Sequence, residues 1–144
     1  EIGLVLTATE VASAVAATQN GRAARSLSNH GIIAAGFASA GIGLLGTWLS
    51  PSAVLTGVGA AIVGIGWGLT LPSIDDAMTD LVPARSRAGA LSLRNSTTFL
   101  GRAAGPYLFA SLALVTGYRR LLLGAGVFAL GAAIVVFGLS REAP

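Results

Sequence analysis

Two charged side chains lie inside otherwise apolar stretches of the sequence, the carboxylate of Glu10 and the guanidinium of Arg102. A carboxylate in apolar surroundings can take up and release a proton or bind a cation, whereas an Arg keeps its charge and seeks a carboxylate or an anionic ligand. We therefore predict that Glu10 and Arg102 act in proton coupling or substrate binding. We expect them to lie at comparable depth and to line one cavity, as a pair whose contact can be switched.

Simpler interpretations of both residues stay open at this point. Glu10 could be a structural hydrogen-bonding residue, or it could lie near an exposed end if the helix boundary is different. Arg102 could form an ion pair that only serves packing, or extend along its helix towards the membrane surface.

The sequence around these two residues indicates that lipid surrounds them. No Asp, Glu, Lys or Arg occurs from residue 26 to residue 74, and a second run without them covers residues 121 to 140. A membrane-spanning helix needs roughly 20 apolar residues, so the first run can hold two spans and the second can hold one. The mean hydropathy of +0.77 and the 10% share of charged residues also indicate an integral membrane protein.

We predict an all-α fold, a polytopic transmembrane bundle of five helices that forms a single domain over residues 1–144. The predicted spans cover about residues 2–19, 31–49, 51–71, 88–115 and 119–139. Ser50 is the expected N-cap of the third helix, with Pro51 in its first turn. Because the chain begins with Glu1 rather than Met, we expect it to be part of a longer protein.

Small residues recur at four-residue spacing along four of these helices, and such faces let membrane helices approach closely. They are Ala35, Ser39 and Gly43; Ala60, Gly64 and Gly68; Gly101 and Gly105; and Ala125, Ala129 and Ala133. We expect these faces to pack a compact bundle. Pro72 is expected near the end of the third helix, and Pro106 is expected to kink the fourth.

The remaining polar residues do not indicate catalysis. The nine positive residues are all Arg and lie mostly in loops, which is typical of membrane topology and not of a nucleic-acid-binding face. The spacing of Asp75, Asp76 and Asp80 matches no metal-binding loop and favours a solvated helix end. There is no Cys, only one His, and no nucleophile triad or phosphate-binding loop. We predict no enzyme, no catalytic residue, no cofactor and no metal.

The Arg residues also predict an orientation. If the helices alternate in direction, one side of the membrane carries Arg22, Arg25, Arg85, Arg87, Arg94 and Arg141, and the other carries only Arg119 and Arg120. Because cytoplasmic loops carry the excess of positive charge, we predict a multi-pass protein of the cell membrane, inner or plasma, with a cytoplasmic C-terminus.

The segment from Gly64 to Pro106 resembles the tenth-to-eleventh helix region of major facilitator superfamily transporters. The residues that carry the resemblance are Gly64, Gly66, Gly68, Pro72, Asp80, Val82, Pro83, Arg87, Gly101, Gly105 and Pro106. The matching part of the N-terminal half of such transporters usually has an Arg in its fourth helix, and none occurs between Pro51 and Leu71. The resemblance therefore indicates helices eight to twelve, in the C-terminal half.

A second resemblance involves the loop after the first helix, where Gly21 and Arg22 match the cytoplasmic gating loop of the family. Arg25 stands where the family has an Asp, and Ser28 stands where it has a second Gly. The acid that would form an ion pair across this loop is therefore missing. Gly21, Arg22 and Arg25 are the predicted gating residues on the strength of this resemblance.

Membership of this family implies a secondary active transporter that works by alternating access between two six-helix halves, with a substrate site between them. We expect proton-coupled efflux of a small organic solute. The expected partners are the lipid bilayer, the missing N-terminal helices as covalent chain or partner chain, the solute, and protons. The alternative is a non-transporting membrane remnant, a scaffold or assembly protein that only packs with partner helices.

Overall fold

The computed structural model describes residues 2–142, which fold into five long α-helices. The helices are α1 (Ile2–Ala23), α2 (Asn29–Leu49), α3 (Ala53–Leu81), α4 (Arg87–Thr116) and α5 (Tyr118–Glu142), with one 3-10 turn at Ala84–Ser86. No strand occurs in this range. The predicted all-α helix bundle is confirmed.

Several helix boundaries differ from the predicted ones, among them the end of α1 at Ala23 and both ends of α3. Ser50 is the C-cap of α2, and Ser52 caps α3 instead, accepting a hydrogen bond from the backbone N–H of Leu55. The α3 helix also continues through Pro72 as far as Leu81. In membrane proteins a Pro inside a helix is tolerated because Ser side chains and neighbouring helices bind the carbonyls near it.

The chain reverses between α4 and α5 over a single residue, Gly117. Its φ of 81° is the one positive φ among the described residues, and a Cβ would make this conformation costly. Its backbone N–H donates to the carbonyl of Ala113, which closes the last turn of α4. The last turn of α4 therefore stays tied to the reversal into α5.

The helices pack in a row in which α1 and α2 flank α3, and α5 lies against the far side of α2. α4 contributes little to this row. Its start is tied to α3 and its end to α5, and only Ala113 along its whole length is buried. Four of the described helices, α2 to α5, are long and apolar enough to cross a membrane, and their many exposed Leu, Val and Phe side chains suit a lipid environment.

Glycines bring the backbones of α1 and α3 into direct contact. A methyl group at Gly64 would overlap the backbone of Thr9, and one at Gly68 would overlap the backbone of Ser13. The pairs advance together along both helices, so α1 and α3 run parallel. The face formed by Gly64 and Gly68 is therefore the surface on which α1 lies.

α2 makes similar contacts on two sides. Gly36 and Gly43 of α2 lie against the backbone of Gly66 and Gly59 on α3, and Ser39 donates a hydrogen bond of 2.9 Å to the carbonyl of Ile62. Towards α5, Cβ atoms built on Gly41 and Gly126 would press on Leu130 and Leu45. By contrast, Gly101 and Gly105 of α4 have no other atom within 4 Å of the position of a Cβ.

The contact at Gly68 gives a stability prediction. We expect Gly68→Ala to destabilise the protein by about 1–3 kcal/mol, because the new methyl group must push α1 away from α3. The measurement is the midpoint of thermal unfolding in detergent. The matched control is Gly131→Ala on α5, where nothing lies within 4 Å. There we expect no loss, since Ala favours helix more than Gly does. Equal midpoints for the two variants would contradict the packing.

Candidate functional site

Glu10 lies on an exposed side of α1, about a quarter turn from the face that contacts α3. The face of α1 that contacts α3 carries Thr9, Ser13, Ala16 and Asn20, whose side chains are half-buried or buried. The side chain of Glu10 is exposed. It lies ~20 Å along the helix from Ala23, at 1.5 Å per residue. Its carboxylate makes no ion pair or hydrogen bond in the described part of the chain. The bundle therefore leaves a carboxylate unpaired at the level of Gly64 on α3.

Arg102 is placed at a similar depth on a different helix. Arg94, which lies eight residues before it, contacts Leu71 and Asp75 of α3. α4 runs antiparallel to α3, and eight residues of helix rise ~12 Å. Counted along the two helices, Arg102 therefore comes close to the level of Gly64 and of Glu10. Arg102 is exposed. Glu10 and Arg102 therefore share a level, but α1 and α4 have no extended interface that joins them.

Pro106 adds a second polar group at Arg102. Since Pro has no backbone N–H, the carbonyl of the residue four positions earlier loses its partner within the helix. In α4 that residue is Arg102. The middle of α4 thus presents both a guanidinium and a carbonyl without an intrahelical partner, on a helix that is largely exposed. Unpaired backbone groups at membrane depth are tolerated where they face protein or a water-filled cavity.

The predicted gating residues lie at the end of α1. Gly21 and Arg22 are helical because α1 continues to Ala23, and Arg25 belongs to the turn that follows. Arg22 donates a hydrogen bond of 2.9 Å to the side chain of Gln19. Neither Arg forms an ion pair with another side chain that the structure describes. Their role in gating stays a prediction.

The Gly residues of the resemblance in α3 lie at helix contacts, Pro83 precedes the 3-10 turn, and Gly101, Gly105 and Pro106 lie within α4. Pro72 lies one residue before Ser73, which is fully buried and donates to the carbonyl of Leu69 and to the side-chain oxygen of Asn20 on α1. Asn20 is also buried. α1 and α3 therefore also make a polar contact, which lies beyond their glycine contacts and nearer the C-terminal end of both helices. Sequence reasoning did not identify this pair, because nothing local marks two residues so far apart as neighbours.

The ion pair between Arg94 and Asp75 was also missed. The Nε of Arg94 lies 3.1 Å from Oδ1 of Asp75, and its Nη2 donates to the carbonyl of Leu71 at 3.3 Å. The side chain of Arg94 is 16% exposed and that of Asp75 is 40% exposed. Asp76 and Asp80 are exposed residues. Asp76 and Asp80 match the predicted solvated helix end, but Asp75 is the attachment point of α4. The sequence signal that could have predicted this ion pair is the pattern of acids before the loop at residues 82–86 and Arg residues after it.

The ion pair between Arg94 and Asp75 predicts a difference between two adjacent acids. We expect Asp75→Asn to loosen the start of α4, because it removes the negative partner of Arg94. A loss of ~1 kcal/mol would speed trypsin cleavage after Arg85 and Arg87 about fivefold. The measurement is limited proteolysis in detergent. Asp76→Asn is the matched control, since its carboxylate forms no described ion pair. Equal cleavage rates in the two variants would show that the ion pair does not hold the start of α4.

Comparisons of the sequence with known proteins point to one family. The family model of the Major Facilitator Superfamily matches residues 1–144. Two relatives are uncharacterized MFS-type transporters of Pseudomonas aeruginosa, one from strain LESB58 and one from strain PAO1. Each is 30% identical over 101 residues, which cover 70% of this chain and 25% of the relative.

The chain spans about a quarter of the length of these curated relatives. No solved structure gives a significant match. The family match covers the whole sequence, and the described helices are those of a multi-pass membrane protein. The chain therefore belongs to the major facilitator superfamily.

Proposed function

We propose that the chain forms part of a secondary active transporter that exports a small organic solute in exchange for protons, by alternating access. The observation that carries the proposal is the carboxylate of Glu10, which is exposed at mid-helix and has no described ion pair. Ionisable groups at such depth are costly in lipid and usually face a cavity or a substrate path. The family, and the description of the relatives as MFS-type transporters, favour transport over other roles.

The level shared by Glu10 and Arg102 supports a site between helices at the membrane midplane. Two groups of opposite charge at the same depth can pair with each other in one state and with substrate or proton in another. α4, which is tied to α3 near its first turns and largely exposed elsewhere, has the freedom that such a change requires. We propose that further helices of the same transporter complete the cavity, and that this chain supplies helices eight to twelve.

We also propose the orientation in the membrane. Arg22, Arg25, Arg85 and Arg87 are all exposed and lie at the same end of the bundle, because α1 and α3 end there and α2 and α4 begin there. Arg141 would add to this end, but its side chain lies outside the described residues. The positive-inside rule then makes this end cytoplasmic, and the C-terminus with it. The opposite end carries Arg119 and Arg120.

The transport proposal predicts that proton coupling depends on Glu10. The transporter that carries this chain is placed in inverted membrane vesicles with an imposed pH gradient, and a panel of organic cations and anions is added. A transported solute should dissipate the gradient, which a pH-sensitive dye reports. We expect Glu10→Gln to reduce this signal to that of vesicles without the protein, because an amide cannot carry the proton. The control Asp76→Asn, at the solvated end of α3, should retain the signal.

The possible results separate the parts of this proposal. A full proton signal in Glu10→Gln would remove Glu10 from the coupling mechanism while leaving transport intact. Solute movement that ignores the pH gradient would overturn proton exchange. If no solute of the panel moves in the wild-type protein, transport itself is contradicted for these solute classes, and the scaffold alternative is favoured.

A further inference from the structure

A cavity lies at the end of the bundle opposite to the Arg-rich loops, between the turn that joins α2 to α3 and the first turn of α5. It is shallow, with a volume of about 400 Å³. Its lining combines a cation, two aromatic rings, hydroxyl groups and aliphatic side chains. The lining includes Trp48, Leu49, Ser50, Tyr118, Arg119 and Leu122.

Arg119 is the charged group of this cavity. Its guanidinium carbon lies 5.8 Å from the centre of the Trp48 ring, which places the cation against the aromatic face. Among the side chains that the structure describes, the guanidinium has no ion pair partner and no hydrogen-bond acceptor, and it donates no described hydrogen bond to the backbone. The described carboxylates lie in the middle of α1 or at the other end of the bundle. The five N–H donors of Arg119 are therefore available to an anion from outside this part of the chain.

The position of the cavity indicates which anion that is. Trp and Tyr at the end of a membrane span lie at the level of the lipid headgroups. At that level phosphodiester oxygens are abundant acceptors, and Arg binds phosphate strongly because its planar fork matches the geometry of the oxygens. The hydroxyl of Tyr118 offers a further donor, whereas the hydroxyl of Ser50 already donates to the carbonyl of Ser52. Leu49, which is 63% exposed, and Leu122 supply an apolar surface for an acyl chain.

We propose that this cavity binds the phosphodiester of a phospholipid headgroup, with Arg119 as the cationic contact and Trp48 as the ring that orients it. The apolar side of the lining favours a lipid over a free inorganic anion, because it has a surface for the acyl chains. The site is separate from Glu10 and Arg102, which lie in the middle of α1 and of α4. Arg120, the next residue, lines a different groove, between α4 and α5, together with Phe109 and Phe128.

The test uses the purified protein in detergent with the substitution Trp67→Phe, which leaves Trp48 as the sole Trp of the chain. Phosphatidylglycerol is titrated in, while the fluorescence of Trp48 and the thermal unfolding midpoint are followed. Diacylglycerol with the same acyl chains and inorganic phosphate are titrated in parallel. Arg119→Gln is compared with Arg120→Gln, which removes the same charge one residue away.

We expect saturable binding of phosphatidylglycerol, with a rise in the unfolding midpoint, and no saturable response to diacylglycerol or inorganic phosphate. Arg119→Gln should weaken binding about tenfold or more, while Arg120→Gln should bind within about twofold of the parent protein. Equal weakening in the two variants would overturn the proposal, since net charge alone would then account for binding. A full response to inorganic phosphate would show a free-anion site, and a full response to diacylglycerol would show that only the acyl chains bind.

Discussion

Close contact between helix backbones is the constraint on which the rest of this bundle depends. Lipid chains are as apolar as Leu, so membrane helices gain little by burying Leu and associate through van der Waals contact and hydrogen bonds instead. α3 meets this condition on two faces, with Gly64 and Gly68 against α1 and with Gly59 and Gly66 against α2. The position of α1, and with it the side to which Glu10 is turned, follows from those contacts.

The same constraint explains why α4 stands apart. Its glycines, Gly101 and Gly105, meet no neighbouring atom, and its side chains are largely exposed. What joins it to α3 is polar, the ion pair of Arg94 with Asp75 and the hydrogen bond of Arg94 to Leu71. A helix tied to its neighbour by a few polar contacts can change its angle at lower cost than one that is packed along its length. This freedom suits a protein whose proposed mechanism requires alternating access.

The two ends of the bundle differ in chemistry. One end carries exposed Arg residues and the acids of α3, together with the buried pair of Asn20 and Ser73 just inside it. The other end carries Trp48 and Tyr118 beside Arg119, where one guanidinium rests on a ring and has no described acid partner. Glu10 and Arg102 lie between these ends, at a shared level. The arrangement therefore separates charges that suit the membrane surface from the two residues that the proposed function assigns to a cavity.

Sequence alone determined that the chain is an all-α membrane bundle, how many helices it has, and to which superfamily it is similar, because hydropathy and charge are properties of short segments. It also identified Glu10 and Arg102 as the charges inside apolar stretches. Only the tertiary structure decided that α1 lies on α3 in parallel, that Ser52 rather than Ser50 caps α3, and that Asp75 holds Arg94. Those features depend on which backbones approach each other and on how loops bring distant residues together, and neither is encoded in any single segment.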